Sequence, residues 1–338
     1  MNKLISFSKL IRLPNLLIIA LAQYAMRWGV IYPMYQSINQ QLRALYPATI
    51  TNPDIIYFQV SELRFFLLSL STVMIAAAGY VINDYFDVKI DRINKPDQMV
   101  IDKGIKRRVA MGAHFVISLL AILIATFVSV KLGMWKYSFI YLACAAGLWL
   151  YSTEFKKQLL IGNIVVAVFV ALVPFVVGLY ELNLAADKFA PLKLPPYEVH
   201  FNVIFNFILG FSVLALLINF TREIIKDIED MEGDKKFGCR TVPIALGIDT
   251  SKNLVSFLII TTMFVIGYVQ SGELKTGPTL SFWYLLIFVQ VPLAFTIYLV
   301  QKAILPADFR APDKLTKAIM LTGLLYTLFI YHSFMPAH

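Results

Sequence analysis

Two acidic clusters in the chain share one internal spacing and lie 143 positions apart. Both read Asp-x-x-Asp-x-x-x-Asp, and each follows a long apolar run. On a helix, residues three, four and seven apart lie on one face, so each triplet would form one anionic stripe. Carboxylates this close repel one another unless a cation holds them, and oxygen ligands suit Mg²⁺. We therefore expect two facing stripes to hold Mg²⁺ and, through it, a diphosphate. The triplets are Asp84, Asp87 and Asp91, and Asp227, Asp230 and Asp234.

Other polar residues extend the two stripes. Asn83 lies four positions before Asp87, so its amide oxygen would join the first stripe. Arg222 and Lys226 precede Asp230 by two helical turns and one, so we expect them to point into the same cavity. Metal ions together with Lys and Arg commonly hold phosphoryl oxygens. The simpler interpretation is that Asp and Asn only cap and solvate a helix end, but two clusters of identical spacing favour the metal site.

The elements that position these residues are membrane-spanning helices. The chain is 59% hydrophobic and only 15% charged, with a mean hydropathy of +0.70, which excludes an ordinary soluble globule. A spanning helix needs about 20 apolar residues. The sequence predicts an all-α polytopic membrane protein with about nine transmembrane helices in one bundle around a central cavity. The predicted spans are 13–33, 63–83, 109–130, 137–152, 160–180, 203–220, 254–270, 280–300 and 317–334.

The basic residues predict the orientation of the bundle. If the N-terminus is cytoplasmic, the cytoplasmic segments hold 21 Lys and Arg and the outer segments hold 6. Both acidic motifs then lie on the cytoplasmic side. The net charge of +9 follows from this bias and from contact with anionic membrane lipids, so it gives no reason to expect nucleic acid. Two cysteines and four scattered histidines support neither a disulfide framework nor a zinc site.

The two motifs follow the second and sixth predicted spans, which suggests an internal repeat. We expect a single domain over 1–338 with pseudo-repeat halves at about 1–152 and 153–302, plus a ninth helix at 317–334. Arg27 lies inside the first span, where a charge is costly. We expect its side chain to reach out to the outer interface.

Five segments of the sequence form a recognisable pattern: NDYFDVKIDRINKP, REIIKDIEDMEGDKKFGCRTVP, YS-x-x-x-K at 151–156, RLPN at 12–15 and GN at 162–163. Together they resemble the UbiA superfamily of intramembrane prenyltransferases. The resemblance implies nine transmembrane helices around a cavity, Mg²⁺ held by two Asp-rich motifs, and a prenyl diphosphate whose tail leaves sideways toward lipid. By position, it implies that Asn83, Asp87 and Asp91 bind one metal, with Asp84 beside them. Asp230 and Asp234 would bind the other metal, with Asp227 assisting.

The same resemblance implies the residues that act on the substrates. Asp87, Asp91, Asp230 and Asp234 would be the catalytic carboxylates. Tyr151 and Lys156 match the diphosphate-contacting pair of the family, and Lys95 stands where the family often has Arg. The expected substrate-binding residues are Tyr151, Lys156, Arg222, Lys226, Lys95 and Asn15.

The second motif most resembles the family branch that transfers a geranylgeranyl group to geranylgeranylglyceryl phosphate. The resemblance therefore implies a Mg²⁺-dependent transfer from geranylgeranyl diphosphate to that lipid, with release of diphosphate. Two alternatives remain at this point. One is an aromatic prenyltransferase of quinone biosynthesis, of the homogentisate or hydroxybenzoate type. The other is a membrane transporter, although transporters place ionisable residues near the bilayer midplane and these spans hold almost none.

Overall fold

A computed structural model describes residues 3–45, 55–189, 201–274 and 279–335. Within these ranges the fold is all-α, as predicted, and no strand is formed. The helices are α1 Lys3–Leu10, α2 Leu13–Tyr24, α3 Tyr32–Leu45, α4 Glu62–Asn94, α5 Arg107–Lys131, α6 Ser138–Thr153, α7 Ile161–Phe189, α8 Asn202–Glu229, α9 Met231–Lys236, α10 Val242–Leu246, α11 Ile248–Leu274, α12 Leu280–Leu285, α13 Val291–Lys302, α14 Arg310–Leu325 and α15 Thr327–Phe334.

Eight helical segments in the described part of the chain are long and apolar enough to cross a membrane. Each coincides with one of the predicted spans, which confirms a polytopic helical membrane protein. The remaining prediction, 137–152, falls on α6, which has only 16 residues and a length of about 24 Å. That is less than the roughly 30 Å hydrocarbon layer, so α6 is too short to span the membrane by itself.

Helices α4 and α8 end close together and define what we call the motif end of the bundle. Helix α4 is 33 residues long, or about 50 Å, so its last turns extend beyond what a bilayer core requires. Helix α8 contributes buried residues to two separate core clusters, Ile204 and Ile208 to one and Ile224 and Ile228 to the other. Because α8 packs into both core clusters, this packing holds the acidic motif at its end in place. The relation between the halves 1–152 and 153–302 stays a prediction.

The prediction that Arg27 reaches the interface is wrong. Arg27 is only 1% exposed and lies in a π-helical segment, Ala25–Ile31, between α2 and α3. The guanidinium contacts Glu62 at 2.7 Å and Glu181 at 3.6 Å, and it lies 3.8 Å from the ring centre of Phe58. A buried guanidinium is stable here because carboxylates and aromatic faces surround it. Sequence reasoning missed this because its partners are far along the chain.

Replacing Arg27 with Met should destabilise the protein by about 3–5 kcal/mol, because Glu181 would remain buried without its cation. Glu181 is 1% exposed. Thermal unfolding in detergent measures the effect. The matched control is the double variant Arg27→Met with Glu181→Gln, which removes both charges and should recover most of the loss. Equal melting temperatures for the wild type and Arg27→Met would show that the pair does not stabilise the fold.

Candidate functional site

A cavity of about 1220 Å³ lies at the motif end of the bundle. All of the residues predicted from the sequence to bind metal or substrate line it. Residues far apart in the chain therefore meet in one place, as the two-stripe interpretation requires. They are Asn15, Asn83, Asp84, Asp87, Asp91, Lys95, Tyr151, Lys156, Arg222, Lys226, Asp227, Asp230 and Asp234.

The first acidic motif lies on one continuous helix, as predicted, because α4 runs through to Asn94. Asp84 accepts a hydrogen bond from Arg12 at 2.9 Å. Asp87 forms an ion pair with Lys156, which lies on a short helical turn after α6. The motif thus already contacts two basic residues from other parts of the chain.

The second acidic motif departs from the prediction that its three carboxylates share a single helix. Helix α8 ends at Glu229, and Asp230 links it to the short helix α9. Asp227 therefore lies on α8 and Asp234 on α9, with a turn at Asp230 between them. All three carboxylates still line the one cavity.

Asn94 joins the two motifs directly. Its side-chain amide donates to the backbone carbonyl of Asp230 at 2.9 Å, and its side-chain carbonyl accepts from the backbone amide of Gly233 at 2.9 Å. A Cβ atom at Gly233 would lie 2.5 Å from the Asn94 side chain, so only glycine permits this approach. We call this pair of hydrogen bonds the Asn94 clasp. Lys95, the next residue, forms an ion pair with Asp230 at 2.7 Å.

Residues 162–163, the GN pair of the sequence, position two more site residues. A Cβ atom at Gly162 would lie 2.9 Å from the backbone of Lys156, so glycine lets the Lys156 turn pack against α7. The adjacent Asn163 donates a hydrogen bond to Asp227 at 2.8 Å. The pair therefore fixes a lysine near the first motif and a carboxylate of the second.

The electrostatics of the cavity indicate a shortage of positive charge. Burial, together with the nearby carboxylates of Asp230 and Asp87, raises the pKa of Asp234 to about 7. The amide oxygen of Asn83 is buried without a hydrogen-bond partner. Such a site gains stability from an added cation that accepts oxygen ligands.

Within the described residues, no three Asp, Glu, His or Cys side chains converge closely enough to form a ready metal site. Three carboxylates contact Arg12, Lys156 and Lys95 instead. The donors still fit Mg²⁺, because carboxylate and amide oxygens are the ligands it prefers and the Asn83 oxygen lacks a partner.

A second, apolar chamber of about 190 Å³ adjoins the polar cavity. Its walls include Ile75, Leu148, Phe169 and Val173. The two spaces share seven lining residues, so they meet at one junction. These residues are Arg12, Asn15, Asn83, Tyr151, Arg222, Glu223 and Lys226.

Several residues of the site were missed by sequence reasoning. Arg12 is part of the RLPN segment, and its left-handed backbone, with φ of 52°, places it at the start of α2 beside Asp84. Glu223 is buried between Arg222 and Lys226. Asp313 on α14 pairs with Arg222 at 2.9 Å. Only Arg12 had a sequence signal, its place in a motif of the resemblance.

Some basic residues near the motifs do not reach the cavity. Lys89, Arg92, Lys235 and Lys236 are exposed, and none of them lines it. Asn15, in contrast, is tied to the site through hydrogen bonds with Tyr80 and Lys317.

Comparison with known proteins identifies relatives of this arrangement. The model of the UbiA prenyltransferase family matches residues 55–333. Digeranylgeranylglyceryl phosphate synthase of Pyrococcus abyssi is 32% identical over 173 residues, which cover 51% of this chain and 52% of that protein. The enzyme of the same name from Methanosphaera stadtmanae is 29% identical over 259 residues, 76% of this chain and 82% of that protein. The match thus spans about half the length of the first relative and about four fifths of the second.

Solved structures show the same fold. A structure of digeranylgeranylglyceryl phosphate synthase has a TM-score of 0.62 and 23% identity, and covers 98% of this chain and 100% of that chain. A UbiA homologue from Archaeoglobus fulgidus, bound to DMAPP and Mg²⁺, has a TM-score of 0.54 and 15% identity, and covers 97% of this chain and 99% of that chain.

Proposed function

The chain belongs to the UbiA prenyltransferase family, and from this membership we propose that it transfers a geranylgeranyl group from geranylgeranyl diphosphate to geranylgeranylglyceryl phosphate, with Mg²⁺ and with release of diphosphate. The observation that carries the proposal is the junction of a polar, acidic cavity with an apolar chamber. A prenyl diphosphate has the same two parts, a charged head and a hydrocarbon tail. Family membership makes the chain an enzyme and removes the transporter alternative.

The acidic residues divide into two groups that would hold the metal. Asn83, Asp87 and Asp91 on α4 would bind one Mg²⁺, with Asp84 beside them. Asp230 and Asp234 would bind the other, with Asp227 assisting. When bound, Mg²⁺ neutralises the oxygens of the diphosphate and so stabilises the charge that develops on this leaving group.

The basic residues of the cavity have a second role beside the metal. Lys156, Lys95 and Arg12 lie next to the carboxylates that would hold Mg²⁺. With Mg²⁺ on those carboxylates, the three basic side chains would be available to bind diphosphate oxygens. They would hold the leaving group beside the metal ligands.

The apolar chamber protects the reacting carbon from water. Phe169, Tyr80 and Tyr141 line it, and aromatic faces attract cations. Tyr151 lines both spaces, so it lies where the diphosphate head meets the prenyl tail. The allylic cation that forms on loss of diphosphate is thus enclosed by rings on the chamber side.

We infer the acceptor from the positive charges beside the junction of the two spaces. Arg222 and Lys226 line both spaces beside the junction, in addition to the three basic residues near the acidic motifs. A glycerol phosphate ether carries a dianionic phosphate, whereas the aromatic acceptors of the quinone branch carry a single carboxylate charge, so the additional cations favour the phosphate. The names of the relatives from Pyrococcus and Methanosphaera support the same choice. The aromatic acceptors remain the alternative.

We place the motif end of the bundle in the cytoplasm. The sequence segments at this end hold most of the Lys and Arg residues of the chain. A water-soluble diphosphate head would then reach the cavity from the cytosol, while hydrocarbon chains reach the apolar chamber from the bilayer.

Arg222→Ala should raise the KM for the acceptor by roughly 10- to 100-fold, because a hydrogen bond to a charged phosphate contributes about 1.5–3 kcal/mol. The KM for the prenyl diphosphate should change much less. Initial rates with each substrate varied in turn measure both constants. Arg310→Ala is the matched control, since the Arg310 side chain is 57% exposed and lines the polar cavity but not the apolar chamber. A rise in the prenyl diphosphate KM that equals the rise in acceptor KM would contradict this role.

The proposal is tested by product mass. Purified protein with Mg²⁺ and labelled geranylgeranyl diphosphate is given geranylgeranylglyceryl phosphate and, in parallel, homogentisate, 4-hydroxybenzoate and dihydroxynaphthoate. We expect an ether lipid and no aromatic product. Aromatic product without ether lipid would move the protein to the quinone branch.

A further inference from the structure

Glu223 is a buried carboxylate that the mechanism above does not use. It is 6% exposed and lies on α8, six positions before the end of that helix. Its two carboxylate oxygens accept hydrogen bonds from Lys226 at 3.2 and 3.3 Å. A terminal nitrogen of Arg222 lies 3.7 Å from one of them. The flanking cations keep this carboxylate charged in a buried position.

Glu223 differs from the acidic-motif residues in where it lies. The carboxylates of the two motifs line the polar cavity, and none of them lines the apolar chamber. Among the described residues shared by the two spaces, Glu223 is the sole carboxylate. The reacting carbon of a prenyl diphosphate joins the head to the tail, so it must lie where the spaces meet. Glu223 is therefore the carboxylate nearest the site of bond formation.

We propose that Glu223 accepts the proton of the acceptor hydroxyl during prenyl transfer. The inference rests on the proposed function, in which the acceptor is an alcohol. The bond from the first carbon of the prenyl group to the diphosphate breaks, and the hydroxyl oxygen then forms a bond to that carbon. The diphosphate leaves with its electron pair. The hydroxyl proton passes to Glu223, and the electron pair of the O–H bond stays on the ether oxygen.

A nearby base is needed because the ether oxygen carries a positive charge until its proton leaves. Among the described residues that line the chamber, Glu223 is the sole carboxylate, so it is the side chain best suited to accept that proton. Glu223 then returns the proton to the polar cavity, which it also lines.

The spacing of the neighbouring residues fits a glycerol phosphate. In such a lipid the phosphate ester and the free hydroxyl are on nearby carbons of one small headgroup. Arg222 and Lys226, proposed to hold the phosphate, both contact Glu223. The phosphate and the hydroxyl would thus be bound by three side chains within about one helical turn of α8.

The test is Glu223→Gln, which keeps the side-chain shape and removes the basic oxygen. We expect kcat with saturating acceptor to fall by about 100-fold or more. The acceptor KM should stay equal or fall, because Arg222 and Lys226 lose a competing negative charge. Prenyl alcohol formed by water capture should rise relative to ether product. A kcat within a few-fold of the wild type, or a higher acceptor KM with unchanged kcat, would overturn the proposal and leave Glu223 with a structural role.

Glu232→Gln is the control for the same change of charge, since Glu232 is exposed on α9 and lines neither space. It should leave kcat and acceptor KM unchanged. If Glu223→Gln does not fold, Glu223→Ala assayed with and without formate replaces it. Recovery of kcat by formate and not by chloride supports the role as a base, and equal effects of the two salts overturn it.

Ether-lipid formation by the wild type distinguishes a failure of this inference from a failure of the proposed function. If the wild type makes no ether lipid, the proposed function fails and the role of Glu223 fails with it. If the wild type makes the ether and Glu223→Gln makes it at the same kcat, only the role of Glu223 fails.

Discussion

Asp91→Ala and Asp234→Ala should each reduce prenyl transfer by roughly 10²–10³-fold at saturating Mg²⁺, because each removes a metal ligand that stabilises the departing diphosphate. Within the described residues neither carboxylate forms an ion pair, so these two variants disturb the fold least. Asp87→Ala and Asp230→Ala should lose as much activity, but each also leaves a lysine without its partner. Release of diphosphate from labelled substrate measures the effect.

The control for the acidic residues lies inside the second motif. Glu232 is exposed on α9 and does not line the cavity, so Glu232→Ala should keep the activity of the wild type. EDTA should abolish activity in the wild type and added Mg²⁺ should restore it. Near-normal turnover in any two of the four Asp variants would rule out the two-site arrangement.

Gly233→Ala is expected to reduce activity by about 100-fold through displacement of the second motif. The new Cβ atom would meet the Asn94 side chain at 2.5 Å, so the Asn94 clasp has to open. A displacement of about 1 Å in catalytic geometry costs on this order. Activity and Mg²⁺ dependence together measure the change, and a higher Mg²⁺ requirement should accompany the loss.

Two further variants make the clasp prediction specific. Gly210→Ala is the matched control, because Gly210 lies on α8 and a Cβ atom there meets no other atom within 4 Å. It should leave activity unchanged. Asn94→Ala removes the clasp from the other side and should reproduce the higher Mg²⁺ requirement. Wild-type activity and Mg²⁺ dependence in Gly233→Ala would show that the clasp does not position the motif.

The sequence was sufficient, for physical reasons, to predict the spanning helices and the two acidic motifs that meet in the cavity. Apolar length predicts spanning helices because the bilayer demands it, and only α6 fell short at 16 residues. The acidic residues could be found because their spacing is visible along the chain. Asp87 and Asp230 line one cavity, although 143 positions separate them.

What could not be predicted depends on contacts between distant segments. Arg27 contacts Glu62, 35 positions away, and Glu181, 154 positions away, and no pattern in the sequence links these residues. The spacing of Asp227, Asp230 and Asp234 is also compatible with a straight helix, but the helix is interrupted by a turn at Asp230. Asn94 donates a hydrogen bond to the backbone at this turn. Glu223 was passed over because a lone Glu beside Arg and Lys resembles an ordinary solvated face, whereas its burial shows only in the packed bundle.

Diffraction with Mn²⁺ would show whether both acidic motifs hold metal in the one cavity. Crystals grown with Mn²⁺ and geranylgeranyl thiolodiphosphate, which resists loss of its leaving group, would locate the metal by anomalous scattering. We expect two peaks, one at Asn83, Asp87 and Asp91 and the other at Asp230 and Asp234, with the diphosphate between them. Metal peaks that lie away from both motifs, with the diphosphate bound by Lys and Arg alone, would rule out metal binding by the acidic motifs.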